Sequence, residues 1–350
     1  MSDTEGTDID AVLRSLAAVI PPGNRVLVIG GYGCGNIGDE AILRVILEDL
    51  RAIGATSRVI SVNPNATRRV HSVEASAPSA RGLLRGLAWS NTVLIGGGGI
   101  FSGYMGPRSR RLPDVARLAA LLQRRVIFRA LGAYSSTPAN VARSLVHVME
   151  RAQFVSVRDT ATLYALRDFG LRRDVVLEDD PATRITVPPR LPPHTGGRVG
   201  IAVRRLRDPG EHTKLRHELV RFIDALVAGG RQPVLLPFSR HPGEPVEQDD
   251  GYAEELRASC TRPEAVLIEQ IDDPLEMLQV MRTLDGIVAM RFHAIVFAST
   301  TGIPAVAIPY DDKCRAFLSA RAPFMPAVDP VNMNADSLLG VLPNLVRVPA

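Results

Sequence analysis

The stretch Asp285–Tyr310 constrains the fold of this chain most strongly, because it reads as a strand, a turn, a helix and a second strand. Ile287–Ala289 is a short apolar run, and Phe292–Thr300 has helical spacing. Gly302 suits the end of that helix, and Pro304–Ile308 is a second apolar strand with proline at its start. The stretch is therefore a βαβ unit, the building block of a parallel α/β sheet.

Two charged or titratable side chains lie at the turn of this unit. Arg291 and His293 flank Phe292 where the first strand ends and the helix begins. In parallel α/β sheets ligands bind at the carboxyl ends of strands, and helix N-termini attract anions. We therefore expect Arg291 and His293 to hold an anionic ligand. For either residue alone, an arginine exposed in a turn or a histidine bonded to the backbone is an equally good interpretation.

Apolar strand-like runs alternate with helical patterns along the chain, as in parallel βαβ construction. The other predicted strands are Arg25–Ile29, Arg58–Val62, Thr92–Ile95, Val126–Leu131, Phe154–Val157, Asp174–Leu177, Arg198–Val203, Gln232–Pro237 and Ala265–Ile268. The other predicted helices are Asp39–Ile53, Val115–Gln123, Ala139–Arg151, Thr160–Phe169, Glu211–Ala228, Val246–Ser259 and Pro274–Arg282. The acidic segment Arg240–Gly251 is predicted to be a loop at the ligand-binding cleft.

A segment rich in proline and glycine, residues 188–197, cannot continue a helix or a central strand and is predicted to be a linker. It separates a first Rossmann-like domain, residues 1–187, from a second one, residues 198–350, whose final helix is free to cross back. The predicted fold class is α/β, with two parallel sheets and a cleft between the domains. This architecture resembles that of GT-B glycosyltransferases.

Composition argues against several classes of partner. The 350 residues are 46% hydrophobic and 22% charged, as in soluble globular proteins. The formal charge is only +4, and no dense basic block is interleaved with aromatic residues, so we expect no nucleic-acid partner. The cysteines are too widely spaced for a disulfide framework or a zinc site, and no cluster of ligands predicts a metal.

The sequence also indicates where in the cell the protein is located. The polar, acidic start lacks the pattern of a signal peptide, and no uncharged apolar run reaches the length of a membrane span. We expect a cytoplasmic protein with at most peripheral contact with a membrane. The oligomeric state is left open, a homo-oligomer included.

A glycine-rich turn, Gly30–Gly38, follows the first strand and opens the first helix, so its backbone can approach an anion or a sugar closely. Three of its glycines match the spacing G-x-G-x-x-G: Gly33, Gly35 and Gly38. However, Asp39 and Glu40 place negative charge where a dinucleotide pyrophosphate would lie. A tight turn before an acid-capped helix explains the glycines but not Asn36 and the paired acids. A polyol acceptor is the alternative use for these polar groups.

Further motifs end other predicted strands. The run Gly96–Phe101, with Gly97 and Gly98 in its turn, marks a second close approach of backbone, although glycine flexibility alone explains many such runs. Arg158 ends another strand, where a structural pair with Asp159 is the favoured interpretation. Arg204 ends the first strand of the second domain, at the edge where Arg291 and His293 are expected.

The ordered set of these motifs resembles the polysaccharide pyruvyl transferase family. The segments that carry the resemblance are GYGCGNIGDEAI (31–42), LIGGGGIF (94–101), SVRD (156–159), DDP (179–181), GIAVR (200–204), MRFHAIVFA (290–298) and GIPAVAIPYDDK (302–313). Each motif alone is weak, but together they run in order over roughly residues 25–315. The resemblance implies a GT-B-like fold and transfer of the enolpyruvyl group of phosphoenolpyruvate to two sugar hydroxyls, giving a cyclic pyruvate ketal and phosphate. It implies acceptors that are saccharides of the cell surface, often lipid-linked.

The chemistry that the resemblance implies, combined with the placement and charge of the residues found above, gives each of them an expected role. The expected donor-binding residues are Arg204, Arg291, Phe292 and His293. The expected acceptor-binding residues are Gly33, Gly35, Asn36, Gly38, Asp39, Gly97, Gly98 and Arg158. His293 is expected to be the acid or to neutralise departing phosphate, and Asp39 or Glu40 to be the base or to orient the hydroxyls. Phosphoenolpyruvate acts as co-substrate, and the scheme requires no cofactor and no metal.

This chain also departs from the family pattern. Cys34 replaces a common aromatic residue, the segment Leu131–Tyr134 differs from a Gly-Ile-Gly-Pro-like turn, and the loop 102–107 lacks a frequent acid. These differences fall on the expected acceptor side, so they leave the acceptor and the linkage undetermined. Two other functions remain open on the same fold: a glycosyltransferase that uses a nucleotide sugar, and a non-catalytic protein that binds a glycan.

Overall fold

The computed structural model describes residues 9–102, 106–187, 189, 197–241 and 245–341. Within this part of the chain there are two compact units. The first contains residues 9–34 and 39–185, and the second contains residues 35–38 and 186–341. The segment Gly35–Gly38 thus belongs to the second unit, although the residues on either side of it in the sequence belong to the first.

The first unit is built on a parallel sheet. Its strands are β1 (Arg25–Ile29), β2 (Thr56–Ile60), β3 (Glu74–Ser76), β4 (Thr92–Phe101), β5 (Arg125–Ala133), β6 (Phe154–Val157) and β7 (Val176–Leu177). Among the described residues these strands lie in the order β3-β2-β1-β4-β5-β6-β7. The helices in this part of the chain are α1 (Ile9–Val19), α2 (Ile37–Ala52), α3 (Pro64–His71), α4 (Ala80–Trp89), α5 (Pro107–Arg110), α6 (Leu112–Leu121), α7 (Ala139–Met149) and α8 (Thr160–Asp168).

Strand β1 shows why this sequence makes a parallel sheet. Its residues Val26–Ile29 form a continuous apolar run, and all of them are buried. Leu27 pairs with Arg58 of β2 on one side and with Val93 of β4 on the other. An apolar run without alternation fits a strand that is covered on both faces, as parallel sheets require.

The sheet becomes irregular where β4 and β5 end. The register between these strands shifts between Gly98 and Phe101. Gly97 and Gly98 have φ angles of +82° and +86°, a left-handed conformation that glycine adopts without a Cβ clash. In β5, Ala130 has a φ of +45°, and its amide donates to Ser156 Oγ at 3.0 Å. The carboxyl edge of this sheet therefore presents bent backbone with little side chain.

The second unit is a smaller parallel sheet. Its strands are β8 (Arg198–Ala202), β9 (Gln232–Leu235), β10 (Leu267–Ile268), β11 (Gly286–Ala289) and β12 (Ala305–Ala307). In the described part of this unit the order is β10-β9-β8-β11-β12. Its helices are α9 (Pro209–Ala228), α10 (Asp249–Ser259), α11 (Pro274–Met281), α12 (Phe292–Thr301), α13 (Asp312–Arg321) and α14 (Ala335–Val341).

The pairing of β8 with β11 determines which residues share an edge. Ala202 of β8 pairs with Ala289 of β11 in parallel register. Arg204 and Arg291 each lie two residues beyond these alanines. Both arginines therefore follow the carboxyl ends of adjacent strands, and α12 begins immediately after Arg291 with its N-terminus at the same edge.

The predicted α/β class with parallel sheets is confirmed, and β1 and β6 have their predicted bounds. Helices α1, α3, α4, α5 and α13 and strand β3 were not predicted from the sequence. The strand β3 has three residues and α3 and α5 are short, so these elements give little periodic signal. The predicted helix of 246–259 begins too early. Residues Pro245–Glu247 form a 3₁₀ turn and α10 starts at Asp249, so the predicted loop of 240–251 is mostly regular where it is described.

Some predictions fall outside the described residues. These include most of the predicted linker, at 188 and 190–196, and part of the loop after β4, at 103–105. The final helix that is described, α14, packs in its own unit, where the amide of Ala335 donates to Glu218 of α9 at 2.9 Å. Within the described residues, no helix is both long enough and apolar enough to span a bilayer.

Candidate functional site

The first unit places an acid directly against bare backbone. Asp39 lies in the first turn of α2 and is half-buried. A Cβ atom on Gly98 would lie 2.6 Å from its Oδ1, and one on Gly31 would lie 3.2 Å from its Oδ2. The structure therefore brings together three of the predicted acceptor-binding residues, Asp39, Gly97 and Gly98. Any side chain at Gly98 would push the carboxylate away.

Glu40, the neighbouring acid, has a different environment. It is buried, and its Oε1 accepts a hydrogen bond from the amide of Gly33 at 2.7 Å. Its Oε2 lies 2.7 Å from Nε2 of His71. Gly33 has a φ of +77°, and a Cβ atom there would lie 2.1 Å from Ser61 Oγ. Glu40 thus holds the tight turn at Gly33, and these contacts favour a supporting role over the predicted contact with substrate.

Tyr32 supports the same edge and was missed in the sequence analysis. Its ring is fully buried, and its hydroxyl donates to the carbonyl of Gly96 at 2.7 Å. Burial, followed by the charges of Asp39 and Glu40, raises the pKa of the phenol well above its usual value, so it stays a neutral donor. A Cβ atom on Gly97 would lie 2.5 Å from this hydroxyl. Tyr32 therefore fixes the path of the glycine run.

Arg158 lies at the edge of the same sheet but is committed to protein partners. Its Nη1 donates to Asp180 at 3.1 Å, its Nη2 donates to the hydroxyl of Tyr134, and its Nε lies 3.4 Å from Asp159. A Cβ atom on Gly132 would lie 3.0 Å from its Nε. The Arg–Asp pair that the sequence suggested is present, and a second pair, with Asp180, accompanies it.

In the second unit the segment Gly35–Gly38 is bonded as an added strand-like piece. The amide of Ile37 donates to the carbonyl of Phe238, and the amide of Arg240 donates to the carbonyl of Gly35, both at 2.9 Å. The side-chain oxygen of Asn36 accepts from the amide of Gly38 at 3.0 Å. Asn36 therefore caps the start of α2, a use that the sequence analysis did not consider.

His293 packs directly on this segment. A Cβ atom on Gly38 would lie only 1.7 Å from Nδ1 of the imidazole, so the ring occupies the space that any side chain at position 38 would need. Phe292 is buried beside it, with ring centroids 5.0 Å apart in an edge-on arrangement, and it also packs on Phe317 at 5.7 Å. The ammonium of Lys313 lies 5.5 Å from the Phe292 ring. Of the predicted donor residues, Phe292 and His293 are thus adjacent in space as well as in sequence.

Arg291 is buried and paired with two acids that the sequence analysis did not assign. Its Nε donates to Asp249 Oδ2 at 2.8 Å, and its Nη2 donates to Asp249 Oδ1. Its Nη1 donates to Glu247 Oε2 at 2.5 Å. The signal that could have found these partners was the acidic composition of 240–251.

Arg204 shares one of these acids. Its Nη2 donates to Glu247 Oε1 at 2.7 Å, and its guanidinium lies 4.6 Å from the ring centroid of Tyr310. The carboxylate of Glu247 thus bridges the two arginines. Burial alone would raise the pKa of Glu247, but Arg291 and then Arg204 outweigh burial and lower it. The predicted donor arginines therefore lie together, with a carboxylate already bound between them.

No group of residues in the described part of the chain has the composition and geometry of a metal site.

Comparison with known proteins identifies a matching family and, separately, solved structures with a similar fold. The family model described as polysaccharide pyruvyl transferase matches residues 36–312. A search of curated proteins finds no significant match.

Solved structures show a likeness in fold. UDP-GlcNAc 2-epimerase from Methanocaldococcus jannaschii aligns with a TM-score of 0.57 at 12% identity, covering 93% of each chain. The UDP complex of MnaA from S. aureus has a TM-score of 0.54 at 13% identity, covering 93% of this chain and 99% of the other. The E. coli ADP-heptose heptosyltransferase II has a TM-score of 0.52 at 14% identity, covering 92% of this chain and 98% of the other. At these identities the likeness establishes a GT-B-type fold and nothing about substrates.

Proposed function

The chain belongs to the polysaccharide pyruvyl transferase family, and we propose that it transfers the enolpyruvyl group of phosphoenolpyruvate to two hydroxyls of a saccharide acceptor. The products are a cyclic pyruvate ketal on the saccharide and inorganic phosphate. We further propose a cytoplasmic reaction, without cofactor or metal, on a precursor of a cell-surface polysaccharide. Peripheral contact with a membrane would give access to a lipid-linked acceptor.

One observation carries the proposal: Arg204, Arg291 and His293 all follow the carboxyl ends of the adjacent strands β8 and β11. Phosphoenolpyruvate bears a carboxylate and a phosphate, and guanidinium groups bind such oxyanions with paired hydrogen bonds. The N-terminus of α12 adds a partial positive charge at the same edge. Imidazole is the side chain that exchanges protons near neutral pH. This set supplies both binding and proton transfer for one small anion.

The reaction consists of two additions to one carbon atom. Proton transfer from His293 to the methylene carbon of phosphoenolpyruvate makes a methyl group and leaves an oxocarbenium-like centre. A first acceptor hydroxyl adds to that centre and gives up its proton to a base. Loss of phosphate and addition of the second hydroxyl close the ketal, and the second hydroxyl proton leaves with phosphate or solvent. Each proton transfer of this kind contributes roughly 10²–10⁴-fold to the rate.

Asp39 is the base that the contacts favour. It is half-buried beside the glycine turn of the first unit, whereas the oxygens of Glu40 bond Gly33 and His71. A carboxylate at a helix N-terminus suits neutral hydroxyls better than a phosphorylated donor, because it repels anions. We therefore propose Asp39 with Gly97 and Gly98 as the acceptor side, and Glu40 as a positioning residue.

Mass spectrometry of acceptors tests the function directly. The purified chain is incubated with phosphoenolpyruvate and a panel of lipid-linked, nucleotide-linked and free saccharides, and the products are searched for the added mass of a pyruvate ketal. Phosphate release is measured in parallel, with His293→Gln as the comparison.

We expect ketal formation on at least one acceptor, with phosphate release in equal amount. Binding of a nucleotide sugar without binding of phosphoenolpyruvate would instead favour a glycosyltransferase. Binding of glycans without phosphate release from any acceptor would favour a non-catalytic protein.

A further inference from the structure

Glu247 lies where an oxyanion ligand of the two arginines would lie. Its Oε1 accepts from Arg204 Nη2 at 2.7 Å, and its Oε2 accepts from Arg291 Nη1 at 2.5 Å. Each carboxylate oxygen therefore accepts a hydrogen bond from a different guanidinium. A carboxylate or phosphate of a bound ligand would make the same bridge, since both present two oxygens at similar spacing.

Asp249, the other acid of this cluster, is held quite differently. It is 2% exposed, and its Oδ2 accepts from the amides of Phe238 at 3.1 Å and Ser239 at 3.0 Å as well as from Arg291. Backbone bonds of this kind fix Asp249 in place. The carboxylate of Glu247 has only the two arginines as hydrogen-bond partners in the described residues, and its side chain is 26% exposed. Glu247 is therefore the acid that can leave at low cost.

The charges of the cluster balance while Glu247 is in place. Two cations, Arg204 and Arg291, face two acids, Glu247 and Asp249, and the neighbouring Lys313 forms its own pair with Asp311 at 3.5 Å. A balanced cluster has little attraction for a further anion. Without Glu247 the same groups carry one excess positive charge, so an anion would gain from taking its place.

We infer that Glu247 is an internal anion that occupies the donor position on Arg204 and Arg291 and competes with the anionic group of the donor. The inference rests on the proposed function for the identity of that donor. Because Arg291 and Arg204 lower the pKa of Glu247 against the effect of burial, its carboxylate stays ionised near neutral pH and must be displaced. We therefore expect a ligand with two or more negative charges to displace Glu247 better than a monoanion does.

The charge of Glu247 is removed with Glu247→Gln, which keeps the shape of the side chain. The matched control is Glu269→Gln, because Glu269 pairs with another strand arginine, Arg198, at 3.0 Å and is 36% exposed. Calorimetric titration measures the affinity of each protein for phosphoenolpyruvate, for inorganic phosphate and for acetate. We expect Glu247→Gln to bind phosphoenolpyruvate and phosphate at least about tenfold more tightly than the wild type, a gain of about 1.4 kcal/mol. Glu269→Gln should bind like the wild type.

A second variant guards against misfolding of the first. Glu247→Asp keeps the charge but is one methylene shorter and cannot reach both arginines, so it should also bind phosphate more tightly. Weaker binding of both anions in the two variants would overturn the inference, because it would make Glu247 a positioning residue for the arginines. Unchanged binding would overturn it as well, since the ligand would then bind elsewhere.

The inference and the proposed function can fail separately. Tighter phosphate binding by Glu247→Gln, with no turnover of phosphoenolpyruvate by the wild type, would support the internal anion and refute the pyruvyl transfer. Turnover with equal donor affinity in all variants would refute the internal anion and leave the transfer intact.

Discussion

At the carboxyl edge of the first sheet Asp39 lies on bare glycine backbone, whereas at the same edge of the second sheet Arg204 and Arg291 are covered by acids. At the first edge the absence of glycine side chains makes room for Asp39, since a Cβ atom at Gly98 would already collide with it. The second edge is filled, and its charges neutralise one another. The two edges thus differ in what surrounds the charged group: glycine backbone around a carboxylate at the first, and acids bonded to arginines at the second. Substitutions of Asp39 should therefore affect activity more than stability, and substitutions at the second edge should affect stability as well as activity.

The largest expected effect on stability is that of Arg291→Ala. Removing this guanidinium leaves Asp249 buried without its cation and Glu247 with one partner fewer. Breaking a buried pair in this way costs about 3–5 kcal/mol, so chemical denaturation should show a fall of that size in the free energy of unfolding.

Arg205→Ala is the matched control, because Arg205 pairs with Glu255 nearer the surface, with side chains 26% and 37% exposed. It should cost at most about 1 kcal/mol. Equal losses in the two variants would show that the second edge is not a specially coupled cluster.

The sequence predicted the position of Arg291 but not its buried partners, and the reason is physical. Strand ends and helix starts follow from local periodicity, so the βαβ unit and the shared edge of Arg204 and Arg291 could be predicted. The partners could not, because Glu247 and Asp249 reach these arginines from more than 40 positions away in the chain. Tertiary contacts likewise decide which of the two adjacent acids, Asp39 or Glu40, lies against the glycine backbone of β4.

The packing of His293 on Gly38 shows the same limit. Both residues belong to recognisable motifs, but nothing in either motif says that the glycine is needed to make room for the imidazole. The membership of Gly35–Gly38 in the second unit depends on its bonds to Phe238 and Arg240, which are far away in sequence. The only sign of this contact in the sequence was the glycine itself, which was interpreted as part of a turn.

The second-largest expected effect is a fall in kcat when His293 can no longer transfer a proton. His293→Gln keeps a hydrogen-bonding side chain but cannot carry the proton, so kcat should fall by at least about a hundredfold, or about 2.7 kcal/mol. Affinity for phosphoenolpyruvate should be largely kept. The wild-type rate should fall as the pH rises and the imidazole loses its proton, and the variant should lack that fall.

A second variant tests the same role by displacing the imidazole of His293 without removing it. Gly38→Ala places a methyl group 1.7 Å from Nδ1 and should lower kcat, whereas Gly340→Ala, where the methyl group would meet nothing within 4 Å beyond its own helix, should not. Normal turnover of His293→Gln at saturating donor would show that the second edge only binds and that the acid lies elsewhere.

The smallest effect separates two adjacent acids of the first edge, Asp39 and Glu40. Glu40 bonds the amide of Gly33 and the ring of His71, so Glu40→Gln loses one strong charged contact and keeps the shape. We expect a loss of about 1–2 kcal/mol in the free energy of unfolding, the scale of one hydrogen bond to a charged group.

For Asp39→Asn, one position earlier in the same helix, we expect the opposite result: a loss of activity more than of stability. Its carboxylate lies against Gly31 and Gly98 and the amide fits the same space, so the loss of stability should be smaller than for Glu40→Gln, while kcat falls because no base remains. Denaturant curves and initial rates on both variants decide the matter. If Glu40→Gln loses turnover at unchanged stability while Asp39→Asn is silent, Glu40 is the base. The contrast between Asp39 on glycine backbone as the base and Glu40 as a bonded positioning residue would then fail within a single turn of α2.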